Sequence, residues 1–173
     1  MLTIGSSTIL ARIIAALDVA AIAISANGDP SRFATYGRPV LTDGAFAGEG
    51  PLAGILAGLD WGFGIGATAL LTVPGDTPFV PRGLAAALSP PPACAASCGR
   101  VHHLVALWPI AVRTALRDHL SEPRSRHVVR FTERIGMRRV DFPPAAWDSF
   151  LNVNTQADLE AARSLVGVAE GPT

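Results

Sequence analysis

One carboxylate stands at the end of an apolar segment in the middle of the chain. Residues 70–73 are Leu-Leu-Thr-Val, and Asp76 follows them in a turn between two prolines. Open α/β sheets bind ligands beyond the carboxyl ends of their strands, so an acid at this point is placed to bind a metal ion. Turn chemistry alone also accounts for the segment Gly75-Asp76-Thr77-Pro78, because these residue types are typical of polar turns. Asp76 is therefore a candidate metal ligand, with a plain turn as the alternative.

Other polar side chains follow other apolar segments. Asn27 ends an apolar run that predicts a buried strand, and Asp43 follows a short strand-like pair, Val40-Leu41. Near the carboxyl end, Asn152 and Asn154 are two residues apart, so in an extended segment their side chains would point the same way. A purely local role for Asn154, helping to cap the last helix, is the alternative. These four residues complete the set of candidate binding residues.

Composition excludes several classes of protein. The 173 residues suit one domain, and the hydrophobic fraction of 49% is high. No run reaches the roughly 18 uninterrupted apolar residues of a membrane span. Fourteen basic residues, all Arg, balance fourteen acidic ones, which argues against a nucleic-acid partner. Cys94 and Cys98 have no second Cys/His pair at finger spacing, so we expect two reduced thiols in a cytoplasmic protein, with no membrane association.

Helix-like and strand-like segments alternate along the chain, which is typical of a mostly parallel sheet covered by helices. Gly50, Gly54 and Gly58 recur at four-residue spacing on one predicted helix, which favours close approach of either another backbone or a ligand. Thr155 and Asp158 have the spacing of a capping box at the start of the last helix. Predicted helices cover 9–17, 51 onward, 82–88, 110–120, 128–131 and 155 onward; predicted strands cover 19–25, 40–41, 70–73, 101–108 and 138–142; a loop covers 89–98.

Several motifs together carry a family resemblance. They are Ser25-Ala26-Asn27, Gly50-Pro51-Leu52-Ala53-Gly54, the strand and turn over 71–79, Gly99-Arg100 with His102, and Phe150-Leu151-Asn152-Val153-Asn154-Thr155. Over residues 2–165 the chain resembles the molybdenum cofactor guanylyltransferases, in which these motifs occur in the same order. We interpret His102 itself as a hydrogen-bonded histidine at a strand start.

The resemblance implies a three-layer α/β/α, Rossmann-like nucleotidyltransferase fold formed by residues 1–173 as a single domain. It implies that Asp76 binds Mg²⁺ between nucleotide phosphates and acts in catalysis. It places Asn27 and Asp43 in the guanine-nucleotide site, and Asn152 and Asn154 at the pterin substrate. The implied reaction transfers GMP from GTP to molybdopterin and releases pyrophosphate. Molybdenum-insertion proteins and molybdoenzyme chaperones are implied as further partners.

The chain departs from this family at its start. The family begins with a strand and a Gly-rich, Arg-containing loop closed by a lysine, and residues 2–5 correspond to the positions directly after that loop. We therefore expect the first strand to be missing from an N-terminally truncated domain, between the strand ending at Ser25 and the strand ending at Val73. Either the true start lies upstream of Met1, or the chain is a degenerate relative. The alternative functions are a related CTP- or sugar-phosphate-specific nucleotidyltransferase, and a truncated non-catalytic remnant that binds pterin or a partner protein.

Overall fold

Helices and strands alternate along the chain, as the sequence predicts. The computed structural model describes residues 2–122, 127–143 and 147–169. Short 3₁₀ turns lie at Pro30–Tyr36, Gly44–Phe46 and Ile110–Val112. The strands are β1 (Thr3–Ile4), β2 (Ser7–Thr8), β3 (Ile24–Ser25), β4 (Val40–Leu41), β5 (Ala69–Thr72), β6 (Ala93–Ser97), β7 (Arg100–Pro109) and β8 (Arg138–Asp141). The helices are α1 (Ile9–Ala16), α2 (Pro51–Gly64), α3 (Leu84–Leu88), α4 (Arg113–Ser121), α5 (Val128–Arg134) and α6 (Gln156–Ala169).

The main sheet has four strands in the order β5-β7-β6-β8. Strand β7 is antiparallel to both of its neighbours, whereas β6 and β8 are parallel, so β5, β6 and β8 run in one direction. Strands β3 and β4 form a separate parallel pair, and β1 and β2 form a small hairpin. The predicted α/β class is confirmed, but the main sheet is mixed within the described residues, because β7 pairs antiparallel with both β5 and β6.

The main sheet is the middle layer of three. Successive side chains of a strand point to opposite faces, and each face carries its own buried cluster. Ala95 and Leu107 pack with α1, α3 and α6 on one face, and Cys94 and Trp108 pack with α2, α4 and α5 on the other. This arrangement confirms the predicted α/β/α layering.

Local signals set the helix starts as predicted. The Thr8 hydroxyl oxygen accepts a hydrogen bond from the Ala11 N–H at 3.1 Å and so caps α1. Pro51 occupies the first turn of α2, where a missing N–H costs nothing. At the start of α6, the Asp158 N–H donates to the Thr155 hydroxyl at 3.1 Å and the Thr155 N–H donates to the Asp158 carboxylate at 2.8 Å. The predicted capping box is confirmed.

Two predictions about the secondary structure were wrong. The strand predicted over 19–25 is only two residues long, because its partner β4 offers just two residues for pairing. The segment 89–98, predicted as a loop, contains β6, whose five residues are all buried between β7 and β8. Its Ala-Cys-Ala-Ala-Ser sequence has low β propensity, and burial between two strands and two helical layers outweighs that preference.

A groove separates β3 from β5. No hydrogen bond joins these two strands within the described residues, and a cavity of about 1110 Å³ lies between them. Side chains of α1 and α2 line the cavity, together with residues of both strands. The sheet is thus interrupted where the resemblance predicts a gap.

Candidate active site

Asp76 lies in the turn that follows β5. Its carbonyl oxygen accepts a hydrogen bond from the Val153 N–H at 2.8 Å, which ties the turn to the segment before α6. Between them lies Thr77, whose side chain is fully buried and whose hydroxyl is 3.4 Å from both the Asp76 carboxylate and the Asn152 side-chain oxygen. A hydroxyl has one proton and donates to one of these oxygens at a time. The structure therefore brings Asp76 and Asn152 together around one threonine.

Asn152 and Asn154 flank the buried side chain of Val153 and are themselves exposed. This alternation confirms the period-two geometry predicted for the pair. Asn154 contributes its backbone N–H to the Asp158 carboxylate at 3.0 Å, and no hydrogen bond in the described chain engages its side chain. The Asn154 side chain therefore does not cap α6, and it is available to a ligand.

Asn27 and Asp43 pair across the ends of β3 and β4. The Asn27 side-chain N–H donates to Asp43 Oδ2 at 2.6 Å, and the Asp43 backbone N–H donates to Asn27 Oδ1 at 3.2 Å. Asp43 Oδ1 accepts no hydrogen bond from any residue that the structure describes. Gly54 of α2 lies beside this pair, because a Cβ built there would be 3.5 Å from Asp43 Oδ1. The pair thus presents one carboxylate oxygen at the mouth of the groove.

The Asn27–Asp43 pair and the Asp76–Asn152 pair lie beside different sheets. Asn27 and Asp43 follow strands β3 and β4, whereas Asp76 follows β5 of the main sheet and Asn152 lies in the segment before α6. Asn27, Asp43 and Gly75 all line the same cavity, although no hydrogen bond within the described residues joins the two pairs. A ligand that reaches from one pair to the other would cross the mouth of the groove.

Asp76 is the side chain of this turn that could hold a metal ion. Among the described residues, no group of three or more His, Cys, Asp or Glu side chains could hold a metal ion, and Asp76 makes no ion pair. Mg²⁺ keeps several waters and is commonly held by one or two carboxylates together with substrate phosphates. A single half-buried carboxylate with no cationic partner in the described chain fits that kind of site, and does not fit a metal held by the protein alone.

Thr77 is a site residue that the sequence did not single out. The sequence places it in the turn, and its burial follows from contact with a segment 75 residues away. His102 confirms its interpretation as a hydrogen-bonded histidine, since its Nε2 lies 2.8 Å from the Ser97 hydroxyl. The glycine stripe of α2 packs against side chains, with Gly54 beside Ser25 and Gly58 beside Leu70.

The model of the MobA-like NTP transferase domain matches residues 1–137. The chain belongs to this family. It is 55% identical over 146 residues to the molybdenum cofactor guanylyltransferase of Acidiphilium cryptum, and the match covers 84% of this chain and 74% of the relative. It is 42% identical over 175 residues to the molybdenum cofactor guanylyltransferase of Rhodopseudomonas palustris strain HaA2, covering 94% of this chain and 81% of the relative.

A solved structure supports the fold. This MobA-like chain is similar in structure to the 2-C-methyl-D-erythritol 4-phosphate cytidylyltransferase of Thermus thermophilus, with a TM-score of 0.59 and 18% identity. The likeness covers 95% of this chain and 91% of that one. The chain therefore has the Rossmann-like nucleotidyltransferase fold. Within the described residues, no helix combines the length and hydropathy that a bilayer crossing requires.

Proposed function

We propose that this MobA-like protein transfers GMP from GTP to molybdopterin and releases pyrophosphate. The observation that carries the proposal is the identity of 55% over 146 residues to a molybdenum cofactor guanylyltransferase. In the reaction, a terminal phosphate oxygen of molybdopterin forms a bond to the α-phosphorus of GTP. The bond from that phosphorus to the bridging oxygen breaks, and pyrophosphate leaves with the electron pair.

Asp76 is the proposed metal ligand and catalytic residue. Its carboxylate stands in the turn at the carboxyl end of β5, where this class of sheet binds ligands. Bound Mg²⁺ would neutralise phosphate charge and help to orient the triphosphate. The chain's own part is to hold the carboxylate still, which it does through the Val153 N–H on the Asp76 carbonyl and through the buried Thr77.

Asn27 and Asp43 are the proposed nucleotide-binding residues. A carboxylate oxygen accepts hydrogen bonds, and the Watson–Crick edge of guanine offers two adjacent N–H donors. Asp43 Oδ1 has no partner among the described residues, while Oδ2 is held by Asn27, so the carboxylate is oriented and still able to accept. This chemistry suits guanine, and a CTP-specific or sugar-phosphate-specific transferase is the weaker candidate.

Asn152 and Asn154 are the proposed pterin-binding residues. Both are exposed, and an amide offers a donor and an acceptor together, which suits the edge of a pterin ring. Asn152 is close to Asp76 through Thr77, so a pterin held there would have its phosphate near the metal site. Molybdenum-insertion proteins and molybdoenzyme chaperones remain proposed partners, and the cytoplasmic location remains a prediction.

The Asp76→Ala variant tests the proposal. We expect it to abolish GMP transfer, since the carboxylate is the proposed metal ligand, and to retain molybdopterin binding, because the variant keeps the side chains of Asn152 and Asn154. Transfer is measured by mass spectrometry of the dinucleotide product. Asp141→Ala, which removes an exposed carboxylate on β8, is the matched control and should transfer GMP normally.

Three results would contradict the proposal. Retained transfer by Asp76→Ala would exclude its role as metal ligand. A magnesium-dependent assay in which CTP outcompetes GTP would exclude the guanylyl specificity. A wild-type chain that binds molybdopterin and shows no magnesium-dependent affinity for GTP would be the non-catalytic remnant.

A further inference from the structure

A partly buried polar cluster joins the main sheet to the site loop, defined as residues 147–154. The Ser97 hydroxyl, at the end of β6, donates to Asp148 Oδ1 at 2.6 Å. The Ser97 hydroxyl oxygen also lies 2.8 Å from Nε2 of His102 on β7. Ser97 is 6% exposed, whereas His102 and Asp148 are only partly buried. Among the hydrogen bonds of the described residues, none joins these three side chains to Asp76, Asn152 or Asn154.

The hydrogen bonds assign the protons of the cluster. Ser97 has one hydroxyl proton, and it points to the Asp148 carboxylate, which can only accept. The Ser97 oxygen must therefore accept from His102, whose Nε2 carries the proton. A histidine protonated at Nε2 cannot take the serine proton, so this Ser, His and Asp set is not a nucleophilic triad.

The charge states agree with this assignment. Burial lowers the pKa of His102 below its usual value, although the Asp148 charge opposes the change, so the ring is neutral near pH 7. Burial raises the pKa of Asp148, but hydrogen bonds from Ser97 and the Phe150 N–H outweigh it and lower the pKa overall. Asp148 is therefore an anion that receives charge-assisted hydrogen bonds from a neutral network.

Asp148 fixes the first half of the site loop. Its Oδ1 also accepts the Phe150 N–H at 2.9 Å. The Phe150 side chain, 1% exposed, then packs against the rings of His102 and Phe142 with centroid distances of 5.1 and 5.0 Å. One carboxylate thus sets both the backbone turn after Asp148 and the burial of the aromatic ring that comes next.

The second half of the site loop has its own attachment. The Val153 N–H donates to the Asp76 carbonyl at 2.8 Å, and Val153 is 3% exposed. Asn152 lies between this attachment and the one at Asp148. When the backbone is held on both sides of a residue, the direction in which its side chain leaves the backbone is fixed. The two attachments therefore fix this direction for Asn152.

We propose that Asp148, held by Ser97 and His102, is a positioning residue for molybdopterin binding at Asn152. The inference rests on the pterin role proposed for Asn152. It goes beyond that role by naming Asp148 as the residue that fixes the conformation of the site loop before molybdopterin binds. Replacing Asp148 leaves the Asn152 side chain unchanged, but it removes the hydrogen bonds that hold the backbone before Asn152.

The test compares Asp148→Ala with Asp141→Ala, which removes an exposed carboxylate outside the site loop. We expect the KM and the Kd for molybdopterin to rise about tenfold, the scale of one charge-assisted hydrogen bond. The KM for GTP should stay within about twofold, because the β3–β4 pair is not attached to Asp148. Asp148→Asn, which keeps the shape and can still accept, should restore most of the affinity. Molybdopterin binding is measured directly by equilibrium dialysis, and Val153 amide exchange should be faster in Asp148→Ala.

The outcomes separate this inference from the proposed function. If the wild-type chain binds no molybdopterin, the proposed pterin site fails and the inference with it. If the wild-type chain binds molybdopterin and Asp148→Ala binds it equally well, the positioning role alone is overturned. If both Asp148 variants weaken GTP and molybdopterin alike, Asp148 is a general structural residue and the inference is wrong.

Discussion

Thr72, the last residue of β5, holds the strand that delivers Asp76. Its hydroxyl donates to the Leu104 carbonyl at 2.8 Å and accepts from the Trp108 indole N–H at 2.8 Å. Trp108 is fully buried, so its N–H has no access to water if that acceptor is lost. Thr72→Val replaces the hydroxyl by a methyl group of nearly the same volume and leaves no cavity. The orphaned N–H costs about 1–3 kcal/mol, and the Leu104 carbonyl also loses a donor.

The expected net loss in the free energy of unfolding is about 2 kcal/mol, after a small gain from the β propensity of valine. For a domain of this size it corresponds to a fall in Tm of about 4–8 °C. Thr72→Ser keeps the hydroxyl and loses one methyl group, so we expect a smaller loss of about 1 kcal/mol.

Urea unfolding of the wild type and both variants measures the order of stability. Because the serine variant retains both hydrogen bonds, the valine variant should be the least stable of the three. If Thr72→Val proves as stable as Thr72→Ser, the buried hydroxyl does not support Trp108, and the reasoning is refuted.

Three further predictions concern the groove, the surface and the last helix. The Leu71 N–H points away from β7 in the antiparallel register, whereas the Leu70 N–H points toward it. In hydrogen exchange measured by mass spectrometry, the Leu71 amide should therefore exchange faster than the Leu70 amide. Equal protection of the two amides would show that the groove edge is covered. Burial raises the pKa of Asp60, but hydrogen bonds from Arg117 and Arg113 outweigh it and lower the pKa overall. The wild type should therefore be more stable than Asp60→Asn at pH 7, and this difference should shrink as the pH falls below about 3.9. A difference in urea midpoint that stays constant over this pH range would contradict the prediction. Asp158→Ala should speed exchange of the Asn154 N–H, since the carboxylate accepts that hydrogen bond, and unchanged exchange would show that the cap is dispensable.

Strand prediction succeeded where residue type and environment agree. β5 and β7 are rich in β-branched or large apolar residues, and both were predicted within a few residues of their bounds. β6 was missed because Ala, Cys and Ser carry little strand preference, and its position between β7 and β8 is a property of the whole sheet. Small residues fit there because helices cover both faces.

The sequence predicts the individual residues of the candidate site better than it predicts the contacts between them. Polar residues that come after apolar runs identified Asn27, Asp43 and Asp76 as strand-end groups, and each lies at or just beyond a strand end. The shared contact of Asp76 and Asn152 with Thr77 depends on residues far apart in the chain and on the burial of Thr77 between them. Local sequence patterns contain no information about such a long-range contact.

Helix α2 is the element that sets the distance between the two halves of the site. Gly54 approaches Ser25 of β3 so closely that an added Cβ would lie 2.7 Å from its hydroxyl oxygen. Gly58, one turn later, approaches Leu70 of β5 in the same way, with 2.9 Å from a built Cβ to the leucine methyl. Since β3 and β5 share no hydrogen bond within the described residues, the helix that contacts both strands sets the distance between the Asn27–Asp43 pair and the turn that contains Asp76. The glycine stripe allows this close packing, and Gly54 and Gly58 also line the cavity between the two strands.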